Sequence, residues 1–339
     1  NHNRALMSET IIRLVAYVLL VLSVPFVDPA HAQEKKHLRV VFVSLAWNAQ
    51  LPFRIANYRG FFRDQGLTVE QIFVRGGPTA ITALVSGNIE FASIGGAQAA
   101  IRGKAHGLDM NIIASNSNFT NYTLIGNKET KRVEDLRGKI IGVTGAGAFS
   151  DFTVRLYLKR NNLDPDKDVT LRAIGQTVVR ASALETGLIA AAPFSAEDTV
   201  KLLDKGFPMI ANFNEAVRVP QSIYVSRGET LEKNPDTSKR FLKALMLGMQ
   251  VAKFNKQEAI KIGFAAGLQG EPNVVQRSYD LFSPGYAADM SVAWDGIQTM
   301  LDEDIRTGLI EKNFTLDRVI NDRILKIAQQ ELRAEGKLK

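Results

Sequence analysis

Cysteine is absent from all 339 residues. That excludes disulfides, thiolate metal sites, a thiol nucleophile and a lipid anchor carried on cysteine. Histidine is scarce, with four residues, and no H-E-x-x-H spacing pairs any of them, so a metal site is not expected. The charge balance is basic, 42 Lys and Arg against 35 Asp and Glu for a net +7. No lysine- or arginine-rich block concentrates that charge, so the composition carries no nucleic-acid signature and favours anions only diffusely. Long apolar runs are missing except over residues 14–26, which fall short of the ~20 residues needed to span a bilayer.

That single run has a recognisable context. Arg4 and Arg13 precede it, and Ala30-His31-Ala32 follows it. A positive start, a short apolar stretch and an A-x-A site read as a secretory signal peptide over residues 1–32, cut before Gln33. Export to the periplasm is the expected consequence. The remaining composition, 45% hydrophobic and 23% charged, is that of an ordinary globular chain.

An internal duplication organises the rest. "ALVSGNIEFA" from Ala83 and "ALETGLIAAA" from Ala183 share A-L-x-[ST]-G-x-I-x-x-A at an offset of 100 positions. The same offset pairs the strand-like run at Val40 with that at Ile140. It also pairs, within about one residue, the helix around Phe53 with that around Phe152. Each copy reads as strands alternating with helices, which implies right-handed crossovers and mainly parallel sheets. Runs around Tyr122 and Tyr224 look like two strands joining two lobes as a hinge. The expected boundaries are 33–124 with 225–339 for the first lobe and 125–224 for the second. A helix capped by Asp236 is expected to open the C-terminal part, and Glu303 and Asp304 read as a solvated helical pair.

In open parallel sheets, ligands sit beyond the carboxyl ends of the strands. Here those ends lead into small, hydroxyl- and amide-rich loops at 44–52, 75–79, 93–98, 144–150, 174–179 and 192–196. The stretch "GKIIGVTGAGAFSDF" half-matches a dinucleotide fingerprint, with Ser150 at the last glycine position. The following strand ends in Ala173-Ile174-Gly175 and lacks the acidic residue a ribose needs, so no nucleotide cofactor is expected. Helix-start amides waiting for an anion remain, with Ser150 or Asp151 as the candidate cap. Trp47 is either a stacking platform or loop packing. Arg75 is either a carboxylate- or sulfonate-pairing cation or a solvated one, and Phe194 is either a ring face beside the Ser195 hydroxyl or core. No catalytic constellation emerges.

The ordered series "GFFRDQGLTVE…RGGPTAITALVSGNIEFASIGG…VEDLRGKIIGV" resembles the sulfonate/nitrate/taurine-type substrate-binding proteins of ABC importers, a group that includes thiamine-pyrimidine-precursor binders. The resemblance implies an α/β fold, the two-lobed type II periplasmic binding fold with a two-stranded hinge. It also implies a monomer that takes a small-molecule ligand between lobes and hands it to a permease with a cytoplasmic ATPase. Carried over by position, the implied ligand loops involve Trp47, Asn48 and Gln50, then Arg75, Gly76 and Gly77, then Ser93, Ile94, Gly95 and Gly96. In the second lobe they involve Ala148, Phe149 and Ser150, then Phe194 and Ser195. Two departures stand out: Ala190 occupies a usually acidic position, and Leu45-Ala46-Trp47-Asn48 lacks the aspartate and proline of thiamine-related members. The expected ligand is a small organic anion, a sulfonate or carboxylate. A heteroaromatic amine such as a pyrimidine is the alternative, and an enzyme acting on such a ligand the alternative of another class.

Overall fold

The computed structural model describes residues 36–339; the expected leader lies outside them. Apolar, β-branched runs form the strands. Leu38, Val40, Val41 and Phe42 are buried in β1 (Lys36–Phe42), which runs parallel to both β2 (Leu67–Phe73) and β3 (Phe91–Gly95). Strand β4 (Asn111–Ser117) lies in the same sheet but does not touch β3. Between them sits β10 (Ser222–Ser226), antiparallel to both, giving the order β2-β1-β3-β10-β4.

The second sheet repeats the pattern. Here β6 (Ile140–Val143) lies parallel between β7 (Thr170–Ala173) and β8 (Ala191–Phe194). Next to β8 comes β5 (Thr123–Gly126), antiparallel to it and to β9 (Met209–Asn212), giving β7-β6-β8-β5-β9. Each sheet thus takes its fourth strand from chain crossing between the lobes. The duplication survives in the helices too: α1 (Trp47–Tyr58) matches α5 (Phe149–Arg160), and α3 (Gly77–Val85) matches α6 (Thr177–Glu185).

The hinge differs in detail from the sequence reading. Thr123 is already inside the second sheet, opposite Phe194 and Asn212, and Tyr224 is wholly buried in the first, opposite Ser93 and Ala114. The chain crosses just before these strands, at 118–122 and 217–221. The two crossings are tied by Gln221, whose Oε1 accepts from the Thr120 hydroxyl at 3.1 Å and the Asn121 N–H at 2.5 Å.

The core of the first lobe is closed by α10 (Pro235–Phe254), whose Phe241 stacks on Phe91 at 4.2 Å and on Phe62 at 5.6 Å. A Cβ at Gly248 would run into the Pro52 carbonyl, so only glycine lets α10 seat this closely on α1. Asp236 does not cap α10: Asn234 precedes it, Pro235 takes the first helical position, and Asp236 pairs with Arg240 at 2.9 Å.

Nor are Glu303 and Asp304 solvated. Both lie on α13 (Trp294–Arg306). Asp304 is buried and accepts two bonds, at 2.7 and 2.8 Å, from Arg102 of α4 (Gln98–Ala105), while Glu303 pairs with Arg306 and with Lys159 of α5. The acidic pair therefore braces α4 and α5 against one helix. Among the described residues no helix is long and apolar enough to cross a membrane.

Candidate functional site

The carboxyl ends of the two sets of parallel strands meet, and α1 begins at that junction. The Trp47 N–H, the first of the helix, donates to Glu197 Oε1 at 2.8 Å. Glu197 belongs to the other lobe, in the first turn of α7 (Ala196–Asp204). The Trp47 indole is spent on packing: it meets Phe264 edge-on at 4.9 Å and donates from Nε1 to the Gln269 carbonyl at 2.7 Å. It is 3% exposed, which makes it loop packing in this arrangement rather than a stacking platform.

Pro52 lies inside α1 and has no N–H, so the Asn48 carbonyl four residues earlier loses its helical donor. Tyr286 OH, at 3.0 Å, and Asn116 Nδ2, at 3.3 Å, donate to it instead. Asn48 Oδ1 and Asn116 Oδ1 remain buried without partners among the described residues. Gln50 is held within the lobe by Ser44 and Gln71.

Gly95 and Gly96 end β3 and face the second lobe. Gly96 adopts φ +66°, and a Cβ there would come 2.5 Å from the Phe149 ring. The Tyr122 ring lies 5.7 Å from that of Phe149. Ile94 is core, and Ser93 Oγ sits 3.2 Å from Ser222 Oγ inside the first sheet. Arg75 is exposed and makes no ion pair among the described residues; Gly76, at φ +83°, and Gly77 turn the chain into α3 beside it.

The loop into α5 is arranged differently from the expected capping. Ala148 is the cap position. Ser150 and Asp151 reach backward, Ser150 Oγ accepting from the Thr144 N–H at 2.9 Å and Asp151 from the Gly147 N–H at 3.0 Å. Asp151 is also bonded by Arg155 at 3.1 Å. The amides of Phe149, Ser150 and Asp151 therefore find no acceptor among the described residues, and they carry the positive end of the helix dipole.

Behind that loop lies a group the sequence reading passed over. Arg180, in the first turn of α6, is 2% exposed and has no carboxylate within ion-pairing distance among the described residues. Its guanidinium donates to neutral acceptors only: Thr144 Oγ1 at 2.9 Å, the Gly175 and Pro193 carbonyls, and Thr177 Oγ1. Its Nε has no partner. The buried Phe194 ring lies beneath it at 5.8 Å, and burial lowers its pKa while the nearby Asp198 carboxylate opposes that shift. Phe194 is thus core, and Ser195 donates to Asp198 at 2.9 Å. A positive charge is fixed at the strand ends, hydrogen-bonded through Thr144 to the loop that starts α5.

Glu197 was missed as well. Its Oε2 is buried without a partner among the described residues, and burial pushes its carboxyl above the usual range. Nothing in "FSAED" distinguishes it from an ordinary acidic first turn after a serine; only folding brings it to the other lobe. Tyr286 is raised well above the usual phenol value, chiefly by burial.

Two lobes of matching topology with their strand ends opposed define the periplasmic-binding-protein class of fold. The profile described as NMT1/THI5 like matches residues 47–259, and the chain belongs to that family. YtlA of Bacillus subtilis, named for binding rather than for a reaction, is 24% identical over 292 residues, 80% of this chain and 84% of that protein. The alkanesulfonate-binding protein SsuA of Xanthomonas axonopodis pv. citri, solved bound to MOPS, superposes with a TM-score of 0.67 at 19% identity over 87% of this chain and 98% of SsuA. The periplasmic nitrate-binding protein NrtA of Synechocystis PCC 6803 gives 0.70 at 16% identity, covering 91% of both chains.

Proposed function

We propose that this protein is an exported, monomeric solute-binding protein that captures a small organic anion, a sulfonate or carboxylate, between its lobes. The bound solute then passes to an ABC permease driven by a cytoplasmic ATPase. One observation carries the reading: among the described residues Arg180 is a buried cation with no carboxylate paired to it, linked by Thr144 to the loop from which three unpartnered α5 amides emerge. Helix-start amides and a desolvated cation attract the same kind of ligand, because neither is bonded to a carboxylate among the described residues. Binding without turnover is the expected behaviour, in keeping with a relative and structural neighbours named as binding proteins.

A second reading, a heteroaromatic amine, draws on the unpartnered Oε2 of Glu197, which would accept from a ligand N–H.

A thermal-shift screen against alkanesulfonates, aromatic carboxylates, nitrate and pyrimidines tests both. A ligand at a hundred times its dissociation constant adds about 2.7 kcal/mol to stability. Stabilisation by sulfonates or carboxylates, lost in Arg180→Met with its far-UV spectrum unchanged, supports the anion. Stabilisation by pyrimidines alone overturns it, and product formation from a stabilising compound overturns the non-enzymatic reading.

A further inference from the structure

The contact between Glu197 and Trp47 is made by two groups that each belong firmly to their own lobe. The Trp47 amide is fixed from the first-lobe side. Its indole is held by Phe264 and the Gln269 carbonyl, and α1 is pinned at its next residue, where Tyr286 and Asn116 grip the Asn48 carbonyl. Glu197 is fixed from the second-lobe side by α7, whose Thr199 N–H returns to the Ser195 carbonyl at 2.8 Å. With both ends anchored, the 2.8 Å bond reports and resists any separation of the lobes. The pairing is also well placed, an acceptor oxygen at the positive end of a twelve-residue helix.

We propose that Glu197 is a clasp between the lobes, a carboxylate of the second lobe that takes the first amide of α1 and, beside the Lys159–Glu303 pair, favours the closed arrangement before any ligand binds. The clasp goes beyond the anion-capture reading, because it operates with no ligand bound. It is balanced rather than locked. Closing buries Glu197 Oε2 without a partner, and that desolvation opposes what the amide bond contributes. A device of opposed terms holds the lobes together yet lets thermal motion part them. At the far end of α7 a second contact across the same seam, Arg277 of α12 (Pro272–Phe282) to Asp204 at 2.8 Å, lies on exposed side chains and is weaker for that reason. Glu197 is the member of the seam that bonds backbone, so it sets position as well as attraction.

The full chain offers a direct test, since it has no cysteine to compete with introduced labels. Thr79→Cys and Val178→Cys place spin labels on exposed first-turn residues of the equivalent helices α3 and α6, one per lobe. Pulsed dipolar distance measurements, with no ligand added, compare the labelled parent with Glu197→Ala and Glu197→Gln. The expected result is a longer, broader distance distribution for Glu197→Ala. Glu197→Gln keeps an oxygen for the Trp47 amide and retains the parent's distances. In parallel, hydrogen exchange at the Trp47 amide should quicken at least tenfold in the alanine variant while neighbouring core amides stay protected. An alanine variant with the parent's distances and exchange overturns the proposal. So does a glutamine variant that opens as far as alanine. Measured without ligand, neither outcome decides ligand class, which the thermal-shift screen decides separately.

Discussion

Tyr286 donates to the carbonyl of Asn48 across 238 positions of sequence, at 3.0 Å, because Pro52 has removed the donor that a regular helix would have supplied. A long-range hydrogen bond thus completes the first turn of α1 at the point where the two lobes meet. Tyr286→Phe leaves Asn116 as the remaining donor and should destabilise the protein by about 1 kcal/mol. Urea unfolding of the variant measures this. An unchanged midpoint would mean that Asn116 alone satisfies the carbonyl.

Gly248 gives a larger effect. Alanine there meets the Pro52 carbonyl, a backbone atom that cannot step aside without moving α1. Overpacking of this kind costs roughly 1–3 kcal/mol. Because α1 begins where the lobes meet, its Trp47 amide bonded to Glu197 of the other lobe, Gly248→Ala should weaken ligand binding together with thermal stability, and Gly107→Ala, at an uncrowded left-handed turn, should lower stability alone.

Asp151 is engaged by Arg155 and the Gly147 amide, so its charge is answered within its own lobe. Asp151→Asn should therefore leave the affinity for a stabilising sulfonate or carboxylate unchanged or slightly higher. Calorimetric titration reads this directly. A loss of more than about tenfold, ~1.4 kcal/mol, would show the carboxylate recognising a donor on the ligand instead.

Glu197 sets a pH dependence. Burial raises its folded-state value above that of an unfolded glutamate near 4.3, and neighbouring Asp198 pushes the same way against the Trp47 bond. A carboxyl raised on folding contributes stability in its protonated form. That contribution is complete below the unfolded value and is lost as pH rises through the folded one. Glu197→Gln, neutral at every pH, should therefore gain thermal stability relative to the parent between pH 5 and pH 8. A difference in Tm that stays flat across that range would place Glu197 in water.

Solution scattering supplies a last check on the lobes. Addition of a stabilising ligand should not enlarge the radius of gyration. In Glu197→Ala the ligand should shrink it more than in the parent, since more of that population starts open.

The α/β architecture was legible in the sequence because its signals are local. Short β-branched strands alternate with helices of 3.6-residue period, and the duplication at an offset of 100 told that the pattern occurs twice. It also pointed to the loops at the carboxyl ends of the strands, since that follows from the handedness of the crossovers rather than from any side chain. What only the tertiary structure decided is where polar groups find or fail to find partners. Trp47 turned into the core because Phe264 and the Gln269 carbonyl, more than 200 positions away, were there to receive it. Glu303 and Asp304 look solvated in a charged helix until Arg102 and Lys159 arrive from two different lobes. Arg180 and Glu197 sit in helix first turns no different in sequence from many others. Burial and partnership are properties of the assembled neighbourhood, and a side chain acquires them only when distant strands have set its surroundings.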